Sequence, residues 1–497
     1  MGQIRAAFLA LFIFSAIGAI LLESVSGHMQ TRLQLLNVHD YEFQHSDFEP
    51  NVARPHLDYE RCARLHNKIV EIGWRGYNPG KDPSLRSSQT WWERYGEDAK
   101  KLPLPISVIE FLKLAELPED DLSFTFQLRG LSHPSELWNG LQELGYEATE
   151  IVLYSSANRE SQGMGLIFNH ELNLAVYSPT IFDHARNEAL LYPLETALMM
   201  YLSMTNAGKI AAVPEGKQED KPYSTPWAWQ YYGEMDVKFA VDEFTNLIHA
   251  IINRISPEER SNSIKEFLDP NKRSPLIDTG TLHALNMPTS FLRLFLSRAP
   301  KPPFSFVAPG LTIPTRSALS RLFASMRVFD MYSDSTFNSL LPPTLLFPSN
   351  LTLTSPPNAS LSGAFLFGDP QTTLDGVTSG LYIVSQSEHY EPFTNGAKLI
   401  LPFPLGANGF AKKANWQPIG SQFVLSQNYT DLYQMGSNSF IENHSIMLHQ
   451  VFQSWRLMVE QGVWDVDDNG VQGGMEGWRL ADDEKQWWRF KMDDALW

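Results

Sequence analysis

The chain has 497 residues, 43% of them hydrophobic and 12% aromatic, which is typical of folded domains and long enough for two or three of them. Its formal net charge of −17 argues against a nucleic-acid-binding surface, because such surfaces need basic side chains to replace phosphate counterions. The same charge argues against adsorption to anionic lipid. We therefore expect no nucleic-acid partner, and membrane contact only through the N-terminus.

The N-terminus has the pattern of a targeting leader. One basic residue, Arg5, precedes the apolar run AAFLALFIFSAIGAILL at residues 6–22, and small residues follow at 24–27. This order predicts a secretory signal peptide over residues 1–27. The run is almost long enough to span a bilayer, so an uncleaved anchor of a single-pass type II membrane protein is the alternative. Either way we expect the remaining chain to enter the secretory pathway, and we expect the mature protein to be extracellular.

Glycosylation signals and the cysteine count bear on this compartment. N-glycosylation sequons occur at Asn350, Asn358, Asn428 and Asn443. The single cysteine, Cys62, cannot form a disulfide within the chain, although secreted proteins often carry them. A large core can replace such cross-links. Because Cys62 lies in a helix-like stretch, we interpret it as a small buried apolar residue and not as a catalytic thiol.

The pattern of elements favours an α+β fold. A helix is predicted over residues 57–74, and LSFTFQL at 122–128 alternates as a half-buried strand would. The runs EIVLYSS, GMGLIFN and LNLAVYS predict a mixed sheet with a hairpin, covered by helices such as DVKFAVDEFTNLIHAIINRI. These elements are assigned to an α+β domain spanning residues 28–300.

The composition changes after residue 300. A Pro-rich middle and a region of short strands, including GLYIVSQ and GAKLILPF, are assigned to residues 301–434. The amphipathic pattern of SFIENHSIMLHQVFQSWRLMVEQG then predicts a C-terminal helical segment over residues 435–497.

The most specific motif is the acidic loop WDVDDNGVQGGMEGW. Counted from Asp465, it satisfies the full pattern of a calcium-binding loop, with the ligand positions Asp465, Asp467, Asn469, Val471 and Glu476. Three features favour a solvated acidic turn instead: Gly462 ends the preceding helix early, Gln472 replaces an aliphatic residue, and Gly473 and Gly474 stand where a helix should begin. Calcium is thus a possible cofactor, and no other is indicated.

Two further clusters could supply acid–base or metal chemistry. FNHELNLAVYSPTIFDH contains His170, Asp183 and His184, and SEHYEP contains His389 and Glu391 on one strand face. Neither has the spacing of a known catalytic or zinc motif, so turn residues with local hydrogen bonds are the competing interpretation.

Three stretches, RLHNKIVEIGW, IFNHELNLAVYSPTIFDH and GVWDVDDNGVQGGMEGW, together resemble a group of secreted proteins of filamentous fungi whose function is uncharacterised. The resemblance implies no catalytic residues. Two hypotheses stay open: an accessory or binding glycoprotein, with a small molecule or carbohydrate as its ligand, or a secretory-pathway enzyme acting on a carbohydrate or a small secondary metabolite. Whether the protein is an enzyme is not decided by the sequence.

Overall fold

The computed structural model describes residues 51–492, apart from 139–140, 142–148, 158–163, 179–190, 218–223, 259, 316–342, 358–359, 362–372, 385–392, 415–416, 421–424, 436–439, 441–443 and 491. The leader predicted at residues 1–27 therefore lies outside the described residues. Helices and several antiparallel or mixed sheets are both present, so the predicted α+β class is confirmed. None of the helices in the described part has both the length and the apolar character that a bilayer crossing needs.

The chain divides into two compact units. Unit 1 comprises the chain up to Ala207 together with Ala212–Trp227, and unit 2 comprises Gly208–Ala211 and Ala228–Trp497. The sequence placed a boundary near residue 300, but residues 228–300 share a unit with the C-terminal part. The reason is that the long helix beginning at Glu234 packs against a helix near the C-terminus, so both contribute to one hydrophobic core.

Unit 1 combines a five-stranded antiparallel sheet with four helices among the described residues. The helices are α1 (Tyr59–Tyr77), α2 (Trp91–Ala99), α3 (Ile106–Leu114) and α4 (Leu194–Asn206). The strands, in sheet order, are β1 (Leu128–Leu131), β2 (Glu150–Ser156), β3 (Gly165–Asn169), β4 (Leu174–Ser178) and β5 (Tyr192–Pro193). The predicted hairpin is present as β3 and β4.

Local sequence signals explain the boundaries of these helices. The Asp58 side chain caps α1 by accepting from the Arg61 N–H at 3.0 Å. A capping box begins α2, since the Thr90 hydroxyl accepts from the Glu93 N–H and the Glu93 carboxylate accepts from the Thr90 N–H. The predicted strand at 122–128 is wrong: the Thr125 N–H donates to the Leu128 carbonyl, which closes a tight turn before β1.

Gly165 at the start of β3 has a conformational reason to be glycine. Its φ is +110°, and a Cβ there would lie 2.0 Å from the Tyr154 carbonyl oxygen. A side chain at this position would therefore push β3 away from β2.

Unit 2 is built around two sheets and a group of helices. The helices are α5 (Glu234–Arg254), α6 (Asn262–Phe267), α7 (Thr279–Ala284), α8 (Phe291–Arg298) and α9 (Leu448–Glu460). One sheet contains, in order, β10 (Thr344–Thr352), β11 (Thr378–Ile383), β12 (Gly396–Ile400), β14 (His444–Met447) and β13 (Gln434–Met435). The other contains β15 (Val466–Asp467), β16 (Gly470–Val471), β8 (Phe306–Ala308) and β9 (Leu311–Thr312). The short strands β6 (Ile210–Ala212) and β7 (Trp227–Trp229) lie where the chain passes between the units.

Aromatic side chains fill the core of unit 2. Phe244 of α5 lies 4.9 Å, centroid to centroid, from Phe452 of α9 and 5.6 Å from Phe347 of β10. Trp455 of α9 continues the cluster toward Trp478, and both are fully buried. Each such ring buries a large apolar area, and this burial stabilises the unit. No intrachain disulfide contributes, because the chain has a single cysteine.

Candidate functional site

A small cleft in unit 1 is the strongest candidate site among the described residues. It is shallow: the space counted out to open solvent is about 270 Å³, of which only about 10 Å³ is enclosed. Three chain segments form it: the C-terminal half of α1, the turn before α2 and the stretch that follows α3. Its apolar wall contains Val70, Trp74, Leu117, Pro118 and Leu122, and its polar residues are Arg86, Ser87, Glu119 and Ser123. This is the usual make-up of a ligand pocket, apolar walls with a few polar groups.

The carboxylate of the cleft is held in place by the indole beside it. The Trp74 Nε1–H donates to Glu119 Oε1 at 2.8 Å, while Trp74 itself is buried and Glu119 is exposed. This bond leaves the second carboxylate oxygen of Glu119 as an acceptor for a ligand.

The guanidinium of the cleft is also fixed. Arg86 forms an ion pair with the carboxylate of Glu116, and both side chains are largely buried. A guanidinium carries five N–H donors in a rigid plane, so the pair with Glu116 leaves further donors for a ligand. Ser87 is exposed and places a hydroxyl next to these donors.

Helix α1 anchors the wall that carries Glu116 and Glu119. Asn67 accepts from the Glu116 N–H at 2.9 Å and donates to the Leu114 carbonyl at 3.0 Å. His66 contacts the Glu116 carbonyl through Nε2 at 2.7 Å. The wall is therefore pre-organised before any ligand arrives, which lowers the conformational cost of binding.

His66 is a neutral structural histidine. Its side chain is fully buried, its ring stacks on Phe124 at 4.4 Å, and Nδ1 lies 2.9 Å from the Tyr154 hydroxyl. Because a carbonyl can only accept, Nε2 carries the hydrogen toward Glu116, and Nδ1 accepts from Tyr154. Burial lowers the pKa of His66 to about 4.

Cys62 is one turn before His66 on α1 and is fully buried, as the sequence predicted. Its thiol donates to Glu195 Oε2 at 3.5 Å. Burial raises the pKa of the Cys62 thiol well above its usual range, and the Glu195 carboxylate raises it further. The thiolate is therefore suppressed, and with it the nucleophilic reactivity.

A buried cation occurs in unit 2. Lys209 is 1% exposed, and its Nζ donates to Asp236 Oδ1 at 2.9 Å and to Asn395 Oδ1 at 2.8 Å. The ammonium also lies 5.3 Å from the centroid of the Phe393 ring. A charge so deeply enclosed is not accessible to a ligand from solvent, so we assign Lys209 a role in packing.

The acidic loop folds as a hairpin of β15 and β16. The Asn469 carbonyl accepts from the backbone N–H groups of Ser305 and Phe306, and Gly470 pairs in parallel with Phe306. Gly470 has a φ of +102°, and a Cβ there would lie 2.1 Å from the Phe306 carbonyl oxygen. The glycine that satisfied the calcium pattern is thus required by this close strand contact.

The acidic side chains of this loop make local contacts. Asp467 Oδ1 accepts from the Asn469 N–H at 2.7 Å, and the exposed Glu476 pairs with Arg479 at 2.5 Å. Within the described ranges, no group of three or more His, Cys, Asp or Glu side chains is arranged to hold a metal ion. Calcium stays a prediction for Asp465, Asp467, Asn469, Val471 and Glu476.

The other predicted site residues are only partly described. His170 and Glu171 begin the turn between β3 and β4, where the His170 N–H donates to the Thr149 carbonyl and the Glu171 N–H donates to Asn169 Oδ1. Asp183, His184, His389 and Glu391 lie outside the described residues. An acid–base pair among them stays a prediction.

Sequence reasoning missed the cleft. The cleft is formed by three separate segments, its polar groups come from two of them, and none of these groups belongs to a spaced motif. The turn-rich stretch before Trp91 was the only signal near Arg86 and Ser87, and turns of this kind are common in proteins without a ligand.

Comparison of the chain with protein-family models, with curated proteins and with solved structures finds no match in any of the three.

Proposed function

We propose that this chain is a secreted glycoprotein of the binding or accessory class, whose ligand is a neutral polyhydroxy molecule such as a sugar, bound in the cleft of unit 1. The observation that carries the proposal is the side-chain chemistry of that cleft. Arg86 and Ser87 supply donors, Glu119 supplies an acceptor, and aliphatic side chains supply the wall. The entry into the secretory pathway rests on the leader pattern at residues 1–27.

The mixture of charges selects the ligand class. The Glu119 carboxylate disfavours an anionic ligand, and the Arg86 guanidinium disfavours a cationic one. A hydroxyl group both donates and accepts, so neighbouring hydroxyls can satisfy an arginine and a carboxylate together. The C–H face of a sugar ring suits the wall of Val70, Leu117 and Pro118. Because the cleft is shallow and encloses little space, it can contact one face or edge of a single ring but cannot surround a larger ligand.

Binding is tested with a panel of methyl glycopyranosides on the full-length protein, by saturation-transfer NMR and titration. We expect at least one member to bind with a Kd in the millimolar range, typical of a site that contacts one sugar ring with few hydrogen bonds. Ser87→Ala and Glu119→Gln should each weaken that binding about 5- to 20-fold, because each removes or weakens one hydrogen bond to the ligand.

Ser88→Ala is the matched control, since Ser88 is exposed beside Ser87 and does not line the cleft. Glu119→Gln keeps an oxygen that can accept from Trp74, so the cleft wall is preserved. Absence of binding by every glycoside, or equal weakening by Ser87→Ala and Ser88→Ala, would contradict the proposal.

A glycan at Asn350 is expected if the chain passes through the secretory pathway. Asn350 lies at the exposed end of β10, whereas Asn428 is half-buried and is followed by the buried Tyr429 and Thr430. The sequons at Asn358 and Asn443 lie outside the described residues. We therefore assign Asn350 as the best-exposed of the two described sites.

The test expresses the full chain in a eukaryotic secretory host and measures its intact mass. Asn350→Gln should remove the mass of one glycan, and Thr352→Ala should remove the same mass because it destroys the sequon while keeping the asparagine. An unchanged mass in both variants would show that Asn350 carries no glycan.

A further inference from the structure

We propose that the place where the N-terminal ends of α5 and α9 meet in unit 2 is an acid-sensitive switch, in which protonation of the His449 ring releases the first turn of α9 from α5. We call this place the α5–α9 junction and define it by Lys209, Asp236, Phe239, Thr394 and His449. It is separate from the cleft, and its test needs no ligand.

The two helices run parallel, so their N-terminal ends lie together. The Phe239 and His449 rings are 5.8 Å apart near the beginnings of the helices. Arg456 contacts Glu243 at 3.2 Å farther along, and the Arg254 guanidinium donates to the Val459 carbonyl near both ends. Two helix N-termini, each carrying partial positive charge, therefore meet at the α5–α9 junction.

His449 is the second residue of α9, and its ring is poorly satisfied there. The Nδ1 atom is buried and has no hydrogen-bond partner among the described residues. The Thr394 Oγ1 atom is in the same situation. The Leu448 N–H donates to the Asn395 carbonyl, so His449 and Thr394 each adjoin a residue of this hydrogen bond. Opening the junction would hydrate both orphaned atoms, which offsets part of the cost of opening.

The charges around the ring are mixed, so burial is the main obstacle to a second cation there. Lys209 already holds one positive charge in the junction, and Asp236 is committed on both oxygens, to Lys209 and to the Gly233 N–H. Glu243 of α5 is paired with Arg456 of α9. An imidazolium at His449 would add positive charge beside Lys209 and two helix N-termini, whereas the carboxylates of Asp236 and Glu243 would favour it. The main penalty is therefore the loss of hydration on burial.

The titration of the ring agrees with this geometry. The pKa of His449 is lowered to about 4, chiefly by burial; Lys209 acts in the same direction, and the carboxylates of Asp236 and Glu243 act to raise it. In an open junction the ring would be solvated and its pKa would return toward about 6.5. Protons therefore bind the open form more tightly, and acid shifts the population toward it.

The experiment is hydrogen–deuterium exchange of the full-length protein at pH 6.0 and pH 3.5, corrected for intrinsic exchange rates. In the wild type, protection of the peptide covering residues 444–453 should fall about 10- to 100-fold, as the difference in proton affinity requires. The peptide covering β12, residues 396–400, should keep its protection. His449→Gln and His449→Phe, which cannot be protonated, should retain protection of residues 444–453 at pH 3.5.

His283→Gln is the matched control, because His283 is an exposed histidine of α7 in the same unit. This variant should behave as the wild type does. The proposal is overturned if the wild type keeps protection at residues 444–453, if β12 loses protection in parallel, or if both His449 variants open as the wild type does. If a variant fails to fold, the protection of residues 444–453 relative to residues 396–400 in the wild type still tests the proposal.

Discussion

Asp482→Ala is expected to lower the free energy of unfolding of unit 2 by about 3–5 kcal/mol, because it removes a buried carboxylate whose two oxygens are both hydrogen-bonded. Asp482 is 5% exposed, and its two oxygens accept from four backbone N–H groups at 2.9 Å each. Gly406 and Asn408 donate to Oδ2, and Phe410 and Ala411 donate to Oδ1. Alanine would leave these donors without an acceptor, and the loop at 406–411 would have to move to reach water.

The neighbouring acid provides the control. Asp483→Ala removes a residue whose side chain accepts only from the Lys485 N–H at 2.9 Å among the contacts of the described chain. We expect it to cost about 1 kcal/mol or less. Asp482→Asn keeps one acceptor oxygen, so its cost should fall between the two. Urea denaturation followed by tryptophan fluorescence measures all three, and an equal cost for Asp482→Ala and Asp483→Ala would refute the anchoring role.

This anchor shows what sequence reasoning can and cannot find in the acidic C-terminal region. The pattern from Asp465 to Glu476 is recognisable in the sequence because all of its positions lie within one short, uninterrupted stretch. Asp482 lies in the run ADDE beside an equivalent acid, and its partners are more than seventy residues earlier in the chain. Only the tertiary fold distinguishes Asp482 from Asp483.

The local elements were predictable where the side-chain period was clear. The runs that became β2, β3, β4 and α5 each carry a strong alternation or helical spacing, and each forms the predicted element. LSFTFQL also alternates, yet it forms a turn because the Thr125 N–H donates to the Leu128 carbonyl and the Thr125 hydroxyl accepts from the Leu128 N–H. A local side-chain hydrogen bond of this kind competes with strand pairing.

Long-range organisation was less predictable for a similar reason. The Pro-rich composition after residue 300 suggested a boundary, but the packing of α5 on α9 joins both sides of it into one core. The cleft likewise depends on α1, the turn at Arg86 and the stretch around Glu119, which the fold brings together. Composition and periodicity report on neighbours in the chain and carry little information about such contacts.

The stability of unit 1 should fall by about 3 kcal/mol when the pH is lowered from 7 to 4, through His66 alone. The pKa of His66 is lowered to about 4 in the folded protein by burial, whereas an unfolded chain has a histidine pKa near 6.5. As the pH falls below 6.5, the unfolded chain takes up a proton that the folded protein cannot yet accept. The loss of stability therefore develops between pH 6.5 and 4 and levels off below that.

His66→Gln tests this account because glutamine stays neutral, while its amide can still donate toward the Glu116 carbonyl and accept from the Tyr154 hydroxyl. We expect lower stability at pH 7 but a pH dependence reduced by about 3 kcal/mol relative to the wild type. His56→Gln is the control, since His56 is exposed in the same unit and should leave the slope unchanged. The measurement is hydrogen exchange of α1 and β2 amides across this pH range. If the free energy of unfolding of the wild type and of His66→Gln depended on pH with the same slope, His66 would not resist protonation. The buried contacts of His66 with Tyr154 and Glu116 could not then hold the cleft wall as described.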